Sequence, residues 1–191
     1  MGIPNKKFIS EQNYLEAERL ATEKHEYFQG EIFAMSVASD AHNVISSNCM
    51  IDIGSKLKGK KCRPYGSDMR MNIPENTLYT YPNLSVYCNK IETLDNERDT
   101  AKKPTVIFEI LSKSTRNYDQ GEKFTLYREI PTLKEYILID SQKVKVYRHT
   151  KTSDSSWILT EFSSINDSFE IKSLEIEMNL IDIYEDVEFV K

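Results

Sequence analysis

Residues 104–111 read Pro-Thr-Val-Ile-Phe-Glu-Ile-Leu. The stretch is apolar apart from one acid, a pattern typical of a strand covered on both faces in the centre of an α/β sheet. A carboxylate in such a strand loses its hydration, which is costly unless a cation or a hydrogen-bond donor compensates. Because a divalent metal is the compensation that also does chemistry, Glu109 makes this chain a candidate metal-dependent enzyme.

The composition is that of an ordinary folded domain. With 191 residues, 39% of them hydrophobic, the chain can bury a sizeable core, so we expect a single domain over 1–191, with 1–12 as an N-terminal extension. The net charge of −5 argues against a domain that is basic overall, as many nucleic-acid binders are, but leaves room for a local basic face.

The cysteines and the N-terminus bear on cellular location. Cys49, Cys62 and Cys88 are widely spaced, which argues against a structural zinc site and favours buried thiols in a reducing compartment. Residues 1–7 lack the apolar core of a signal peptide, and no apolar run approaches the roughly 20 residues that span a bilayer. We therefore expect a cytoplasmic protein without a membrane partner.

The pattern along the chain predicts an α/β fold with a mixed sheet, helices on its faces and an extra C-terminal β-hairpin. A helix between two strands in residues 105–140 favours a parallel pair with a crossover. The predicted elements are a helix over 10–22, a hairpin turning at Gln29-Gly30, a helix over 40–57 capped by Asp40, strands over 62–73, 78–88 and 105–111, a loop over 89–103, a helix over 121–130, a strand over 135–140, antiparallel strands beyond Val144 and a segment over 180–184.

Glu109 has predicted neighbours on its own strand and on the next. The two-residue period of a strand puts Glu109, Leu111 and Lys113 on one face. The strand over 79–86 should pair nearby, and one acid from each of two adjacent strands can hold Mg²⁺ through oxygen ligands.

Several short motifs follow one another in a fixed order. They are His25-Glu26-Tyr27 with Gly30-Glu31, Ser39-Asp40-Ala41-His42-Asn43, Ser67-Asp68-Met69, Tyr79-Thr80-Tyr81-Pro82-Asn83, Glu109-Ile110-Leu111-Ser112, Tyr118-Asp119-Gln120-Gly121-Glu122-Lys123-Phe124-Thr125-Leu126-Tyr127 and Glu135-Tyr136-Ile137-Leu138-Ile139-Asp140. With these motifs the chain resembles, from about residue 14 to residue 186, the bacterial putative restriction endonuclease family of the PD-(D/E)xK nuclease superfamily.

The resemblance implies a restriction-endonuclease-like fold and a DNA endonuclease that depends on Mg²⁺ or Mn²⁺. In that reading Glu109 and position 83 bind the metal and Lys123 assists the attacking water. The family's Pro-Asp is Pro82-Asn83 here, and a neutral carboxamide is a poorer ligand than a carboxylate. Either the activity is weakened or lost, which leaves a catalytically dead member that binds nucleic acid or a partner, or another acid such as Asp68 or Glu26 compensates.

The superfamily's lysine and the remaining supporting residues leave alternatives open. The lysine position two residues after the glutamate is Leu111 here, so the resemblance implies that Lys123 supplies the amine, with Lys113 as the second candidate. His42 starts the predicted helix, either as a residue that touches phosphate or a metal-bound water, or as part of the helix cap. An ordinary solvated role is the alternative for Glu26 and for Lys123.

A basic run offers a surface for DNA. Residues 56–63 contain five lysines and arginines, and Lys102, Lys103, Lys113 and Arg116 are candidates to extend that face. The alternative is a solvated helix end favoured by the helix dipole. DNA is the expected partner, together with a homodimer of the kind many nucleases form.

Overall fold

A computed structural model describes residues 8–189. The helices are α1 (Glu11–Glu18), α2 (Asp40–Lys56), α3 (Arg116–Gln120), α4 (Glu122–Tyr127) and α5 (Leu180–Ile183). The strands are β1 (His25–Phe28), β2 (Glu31–Ala34), β3 (Cys62–Gly66), β4 (Arg70–Ile73), β5 (Leu78–Thr80), β6 (Leu84–Cys88), β7 (Glu92–Thr93), β8 (Thr100–Lys102), β9 (Val106–Leu111), β10 (Glu135–Asp140), β11 (Val146–Lys151), β12 (Trp157–Phe162), β13 (Ser168–Ile171) and β14 (Ile176–Asn179).

The strands form two six-stranded sheets and one separate pair. The central sheet has the order β12-β11-β10-β9-β6-β3, and the first sheet has the order β2-β1-β5-β4-β8-β7. The pair β9–β10 is parallel, while β9 runs antiparallel to β6, so the central sheet is mixed. The pair β13–β14 is the C-terminal hairpin. The predicted class, a mixed α/β fold flanked by helices with a C-terminal strand pair, is confirmed.

The residues of β9 alternate between two cores. Phe108 and Ile110 pack with Ile45 and Cys49 of α2 in one buried cluster. Ile107 and Leu111 belong to a second buried cluster, which also contains Tyr127 and apolar residues of β4, β5 and β10. By the two-residue period, Glu109 shares the face of Ile107 and Leu111. The prediction that β9 is covered on both faces is therefore confirmed, since all six of its residues are buried.

Two predicted strands are each divided between the two sheets. The stretch 62–73 turns at Gly66, whose carbonyl accepts from Met69 N–H at 3.1 Å, so β3 joins the central sheet and β4 the first. The stretch 78–88 breaks around Pro82, which has no N–H to contribute to a ladder. Asn83 consequently lies just before β6, next to the start of its pairing with β9 at Leu84 and Phe108.

Helix boundaries and one loop differ from the predictions. Ser39, not Asp40, is the N-cap of α2, because its hydroxyl accepts from His42 N–H at 3.3 Å. The predicted helix over 121–130 is shorter and follows a second short helix, α3, across Gly121. The predicted loop over 89–103 contains the short strands β7 and β8.

The cysteine prediction is wrong for two of the three residues. Cys62 and Cys88 lie directly opposite each other in the antiparallel register of β3 and β6, and they form a disulfide. Both are half-buried, whereas Cys49 is a buried free thiol as predicted. The mistake arose because a wide spacing along the chain says nothing about partners that a sheet brings together.

Most of the predicted N-terminal extension lies outside the described residues. Within them, Ile9 N–H donates to the Gly30 carbonyl at 3.0 Å, and the Tyr27 hydroxyl donates to the Ile9 carbonyl at 2.9 Å. Over residues 8–189, no helix is both long enough and apolar enough to cross a membrane.

Candidate active site

Glu109 is held in the interior by hydrogen-bond donors on both carboxylate oxygens. Its side chain is 4% exposed. Oε1 accepts from the Tyr127 hydroxyl at 2.8 Å, and Oε2 accepts from the backbone N–H of Asn83 at 3.2 Å. These bonds tie β9 to α4 on one side and to the segment before β6 on the other.

Lys123 lies at the centre of three carboxylates. Its Nζ is 2.9 Å from Glu109 Oε1, 3.1 Å from Glu26 Oε1 and 3.7 Å from Asp119 Oδ1. The two helical residues are four apart, which puts Asp119 and Lys123 on one side of the α3–α4 segment. We call these four side chains the Lys123 cluster; three acids meet one base there.

The electrostatics of the Lys123 cluster follow from burial and from this imbalance. Burial raises the pKa of the Glu109 carboxyl above its ordinary value, and Lys123 offsets only part of that effect. Burial likewise raises the pKa of Asp119. Burial lowers the pKa of Lys123, but Glu109, Glu26 and Asp119 outweigh it, so the pKa of this amine lies well above its ordinary value. Lys123 is therefore a charged ammonium, and its single positive charge cannot neutralise all three surrounding acids.

Glu26 reaches the cluster from the hairpin of β1 and β2. The tight turn places Gln29 and Gly30 at positive φ, so the hairpin predicted from Gln29-Gly30 is confirmed. Glu26 accepts a short hydrogen bond from the Thr80 hydroxyl of β5 as well as contacting Lys123. The first sheet thus contributes an acid to a site that otherwise belongs to the central sheet and its helices.

Asn83 is fixed by contacts on both ends of its carboxamide. Its Oδ1 accepts from Ile110 N–H at 2.7 Å, and its Nδ2 lies 3.1 Å from His42 Nε2. Because the amide nitrogen is a donor, His42 Nε2 accepts in this arrangement. Burial lowers the pKa of His42, which favours the neutral ring that such an acceptor requires.

The donor set bears on whether a divalent metal fits. Over the described residues, no group of three or more His, Cys, Asp or Glu side chains has the arrangement of a metal site. Glu109 and Asn83 nevertheless each offer a hard oxygen, and the two residues are joined by the hydrogen bond from Asn83 N–H to Glu109 Oε2. Mg²⁺ is commonly held by one or two carboxylates with water completing its shell. The residues fit such an ion in kind, with one negative charge fewer than an aspartate at position 83 would give.

The structure brings together Glu109, Lys123, Asn83, Glu26 and His42 but not the other two predicted residues. Lys113 follows the end of β9 and is exposed, so it does not share the face of Glu109 as the strand period predicted. The Asp68 side chain is 96% exposed and pairs with Lys24 at 2.5 Å, so it does not take the place of an acid at position 83.

Two residues of the site were missed as candidates from the sequence. Asp119 is buried beside Lys123, and Tyr127 donates to Glu109. Both stand in the motif over 118–127, where the four-residue spacings of Asp119, Lys123 and Tyr127 would have placed them on one helical face. Gly121 lies between Asp119 and Lys123, and a glycine is usually taken as the boundary of a helix. The three residues were therefore not recognised as one helical pattern.

Comparisons with known proteins agree with this architecture. The model of the Uma2 family, described as "Putative restriction endonuclease", matches residues 11–181. Two proteins of Synechocystis sp. (strain ATCC 27184 / PCC 6803 / Kazusa), "Uncharacterized protein sll1609" and "Uncharacterized protein slr1290", are each 34% identical to this chain. The alignments cover 92% of this chain and 99% of the first relative, and 95% of this chain and 94% of the second.

A solved structure shares the fold. The crystal structure of "a putative nuclease belonging to DUF820" from Anabaena variabilis ATCC 29413 superposes with a TM-score of 0.73 over 92% of this chain and 97% of the other, at 18% identity. This likeness supports a nuclease-like fold. With the family model matching most of its length, the chain belongs to the Uma2 family of restriction-endonuclease-like proteins.

Proposed function

We propose that this chain is a DNA endonuclease that depends on Mg²⁺ or Mn²⁺ and whose metal binding and activity are weakened by Asn83. The family and the nuclease-like fold support the reaction class. The observation that carries the proposal is the Lys123 cluster, in which three carboxylates surround one buried ammonium. Such an excess of negative charge favours a further cation.

Glu109 and Asn83 would hold the ion. When bound there, a divalent cation would supply Lewis-acid stabilisation of a phosphoryl oxygen and would make water easier to deprotonate. Asn83 offers one neutral carbonyl oxygen, and that oxygen already accepts from Ile110 N–H. Because Asn83 is a weaker metal ligand than an aspartate, we expect a lower activity than an aspartate at position 83 would give.

Lys123 and Glu109 have separate tasks in this proposal. The Lys123 ammonium is buried and charged, so it can stabilise negative charge that develops on a phosphate oxygen. Glu109 positions that ammonium through the 2.9 Å contact to Oε1, and the Tyr127 hydroxyl donates to the same oxygen. The exposed Lys113 lacks this support.

The second candidate function is a catalytically silent member that binds nucleic acid or a partner. It is favoured by the fit of the Asn83 carboxamide, because Oδ1 accepts from Ile110 and Nδ2 contacts His42. An amide bonded at both ends acts as a structural link between α2, β6 and β9. In this alternative Lys123 neutralises the buried acids and takes no part in chemistry.

Plasmid nicking separates the two candidates. Under the first, Asn83→Asp raises Mg²⁺-dependent nicking at least tenfold over the wild type, and Asn83→Ala lowers it. Equal inactivity of the wild type and Asn83→Asp, with DNA binding retained in Glu109→Ala, rejects the endonuclease and leaves the silent binding member. A chelator control on the same plasmid identifies the part of the nicking that needs a divalent ion.

A homodimer belongs to the same proposal, and among residues 8–189 its candidate surface is the outer strand of the first sheet. Strand β2 is the terminal strand of that sheet, and Ile32 and Phe33 on it are 37% and 46% exposed. An apolar edge strand is a common surface for pairing with a second copy. Sedimentation of Phe33→Lys tests it, since a dimer through β2 predicts a monomeric variant; an unchanged sedimentation coefficient removes β2 as the interface.

A further inference from the structure

A cavity of about 380 Å³ lies at the far end of the central sheet from the Lys123 cluster. Its lining includes four lysines, Lys90, Lys102, Lys103 and Lys134, and a single acid, Glu92. We call it the lysine cavity. Thr105 lies at its wall, immediately before β9 begins, whereas Glu109 is four residues further along that strand, about 13 Å at the ordinary rise per residue.

The walls of the lysine cavity are tied together by backbone hydrogen bonds. Thr105 N–H donates to the Val86 carbonyl at 2.7 Å, and Lys134 N–H donates to the Thr105 carbonyl at 2.8 Å. Asn89 N–H donates to the Lys61 carbonyl at 2.7 Å, which continues the wall into the basic run before β3. The cavity is therefore built on the ends of β6, β9 and β10 rather than on a loose loop.

The charges in the lysine cavity are mostly uncompensated. Glu92 pairs with Lys103 at 2.8 Å, and the pair is exposed. Within residues 8–189, no carboxylate lies within ion-pair distance of Lys90, Lys102 or Lys134. Glu92 also interacts electrostatically with Lys102, so it is shared between Lys102 and Lys103. Lys90 and Lys134 remain without an acidic partner among residues 8–189, and four ammonium groups on this cavity face one carboxylate.

We propose that the lysine cavity binds phosphate groups, supplied either by a DNA backbone or by a free phosphate-bearing small molecule. Compact ammonium groups are strong point-charge partners of phosphate, and a cavity of this volume is within the size range of small-ligand sites. The site is separate from the Lys123 cluster, so it does not depend on whether the chain cleaves DNA.

Charge-reversal variants test the lysine cavity. Lys90→Glu/Lys134→Glu changes two exposed lysines of the cavity, and Lys143→Glu/Lys172→Glu makes the same charge change at two exposed lysines outside it. The probes are a fluorescein-labelled 16-base-pair duplex, followed by anisotropy, and inorganic pyrophosphate, followed by calorimetry, both at low salt. Thermal melts of both variants establish that each is folded.

The proposal expects the cavity variant to weaken binding of at least one probe tenfold or more, and the control variant to weaken it less than twofold. Loss confined to the duplex identifies the DNA backbone as the phosphate source, and loss confined to pyrophosphate identifies a small ligand. If the two variants lose the same affinity, the change in net charge alone explains the loss and the proposal is wrong. A wild type that binds neither probe also overturns it.

Discussion

The amine of Lys123 on α4 lies 2.9 Å from the carboxylate of Glu109 on β9, and both side chains are almost fully buried. Glu26 and Asp119 add two further acids to the same amine. The contact joins the helical layer to the central sheet. Lys123 thus has a structural task, which is to offset the charge of the buried acids, and the proposed task at the phosphate.

Replacing Lys123 by Met should destabilise the fold. The change leaves three carboxylates without their shared cation, and breaking a buried ion pair costs on the order of 3 kcal/mol. Urea unfolding measures the loss. Lys113→Met is the matched control, since Lys113 is exposed and its removal should stay within about 0.5 kcal/mol. Equal midpoints for the two variants would show that the Lys123 contacts carry no net stability.

Glu109→Gln should separate activity from stability. In the Asn83→Asp background it removes the charged metal ligand, so we expect Mg²⁺-dependent nicking to fall about 100-fold. The fold should lose about 1–3 kcal/mol, because glutamine still accepts from Tyr127 but its amide nitrogen cannot accept from the Asn83 N–H that donates to Oε2. Glu122→Gln is the matched control, because it makes the same change at an exposed residue one position before Lys123. Undiminished nicking in Glu109→Gln would remove this residue from the chemistry.

His149 should make the fold acid-sensitive. Burial and nearby Arg128 lower the pKa of its ring from 6.5 to about 4, and the ring packs 4.2 Å from that of Phe124. The unfolded chain binds a proton near 6.5 and the folded chain only near 4, so stability falls as the pH drops through that window.

Replacing His149 by Phe removes this proton difference. Relative to the variant, the wild type should lose up to about 2 kcal/mol between neutral pH and pH 4, while above pH 7 the two stability curves should run parallel. Urea unfolding at several pH values gives both curves. Parallel curves over the whole range would mean that His149 titrates alike in the folded and unfolded chain.

The disulfide between Cys62 and Cys88 should stabilise the fold. It closes a loop with a sequence separation of 26, for which chain entropy gives roughly 3 kcal/mol. Dithiothreitol should therefore lower the melting temperature of the wild type and leave Cys62→Ser/Cys88→Ser unchanged. Peptide mapping without reductant should recover the linked pair, with Cys49 as a free thiol. A wild type that is indifferent to dithiothreitol contradicts this expectation.

The central strand and its acid were predictable from sequence because burial leaves a continuous apolar run. In β9 that run contains one charged residue, so a partner for Glu109 had to exist, and the parallel neighbour β10 shows the same pattern. The pairing of β6 with β9 was also predictable, since Asn83 stands in a motif that the family resemblance placed beside Glu109.

Other features depend on tertiary contacts that the sequence pattern does not display. The sheet change around Pro82 and the turn after Gly66 divide apolar runs that look like single strands. Asp119 became a site residue only through the placement of α3 against Lys123, and Cys62 met Cys88 only through the register of two strands. Asp68 sits in a family-like motif, yet the turn directs it to solvent and to Lys24.

The most direct test of the central claim is anomalous diffraction from Mn²⁺-soaked crystals of the wild type and of Asn83→Asp, with Glu109→Gln as the control. We expect a manganese peak within coordination distance of Glu109 Oε2 and residue 83, stronger in Asn83→Asp than in the wild type and absent in Glu109→Gln. If neither the wild type nor Asn83→Asp shows a peak at Glu109 under saturating Mn²⁺, the cluster serves the fold alone and the proposed metal-dependent chemistry is wrong.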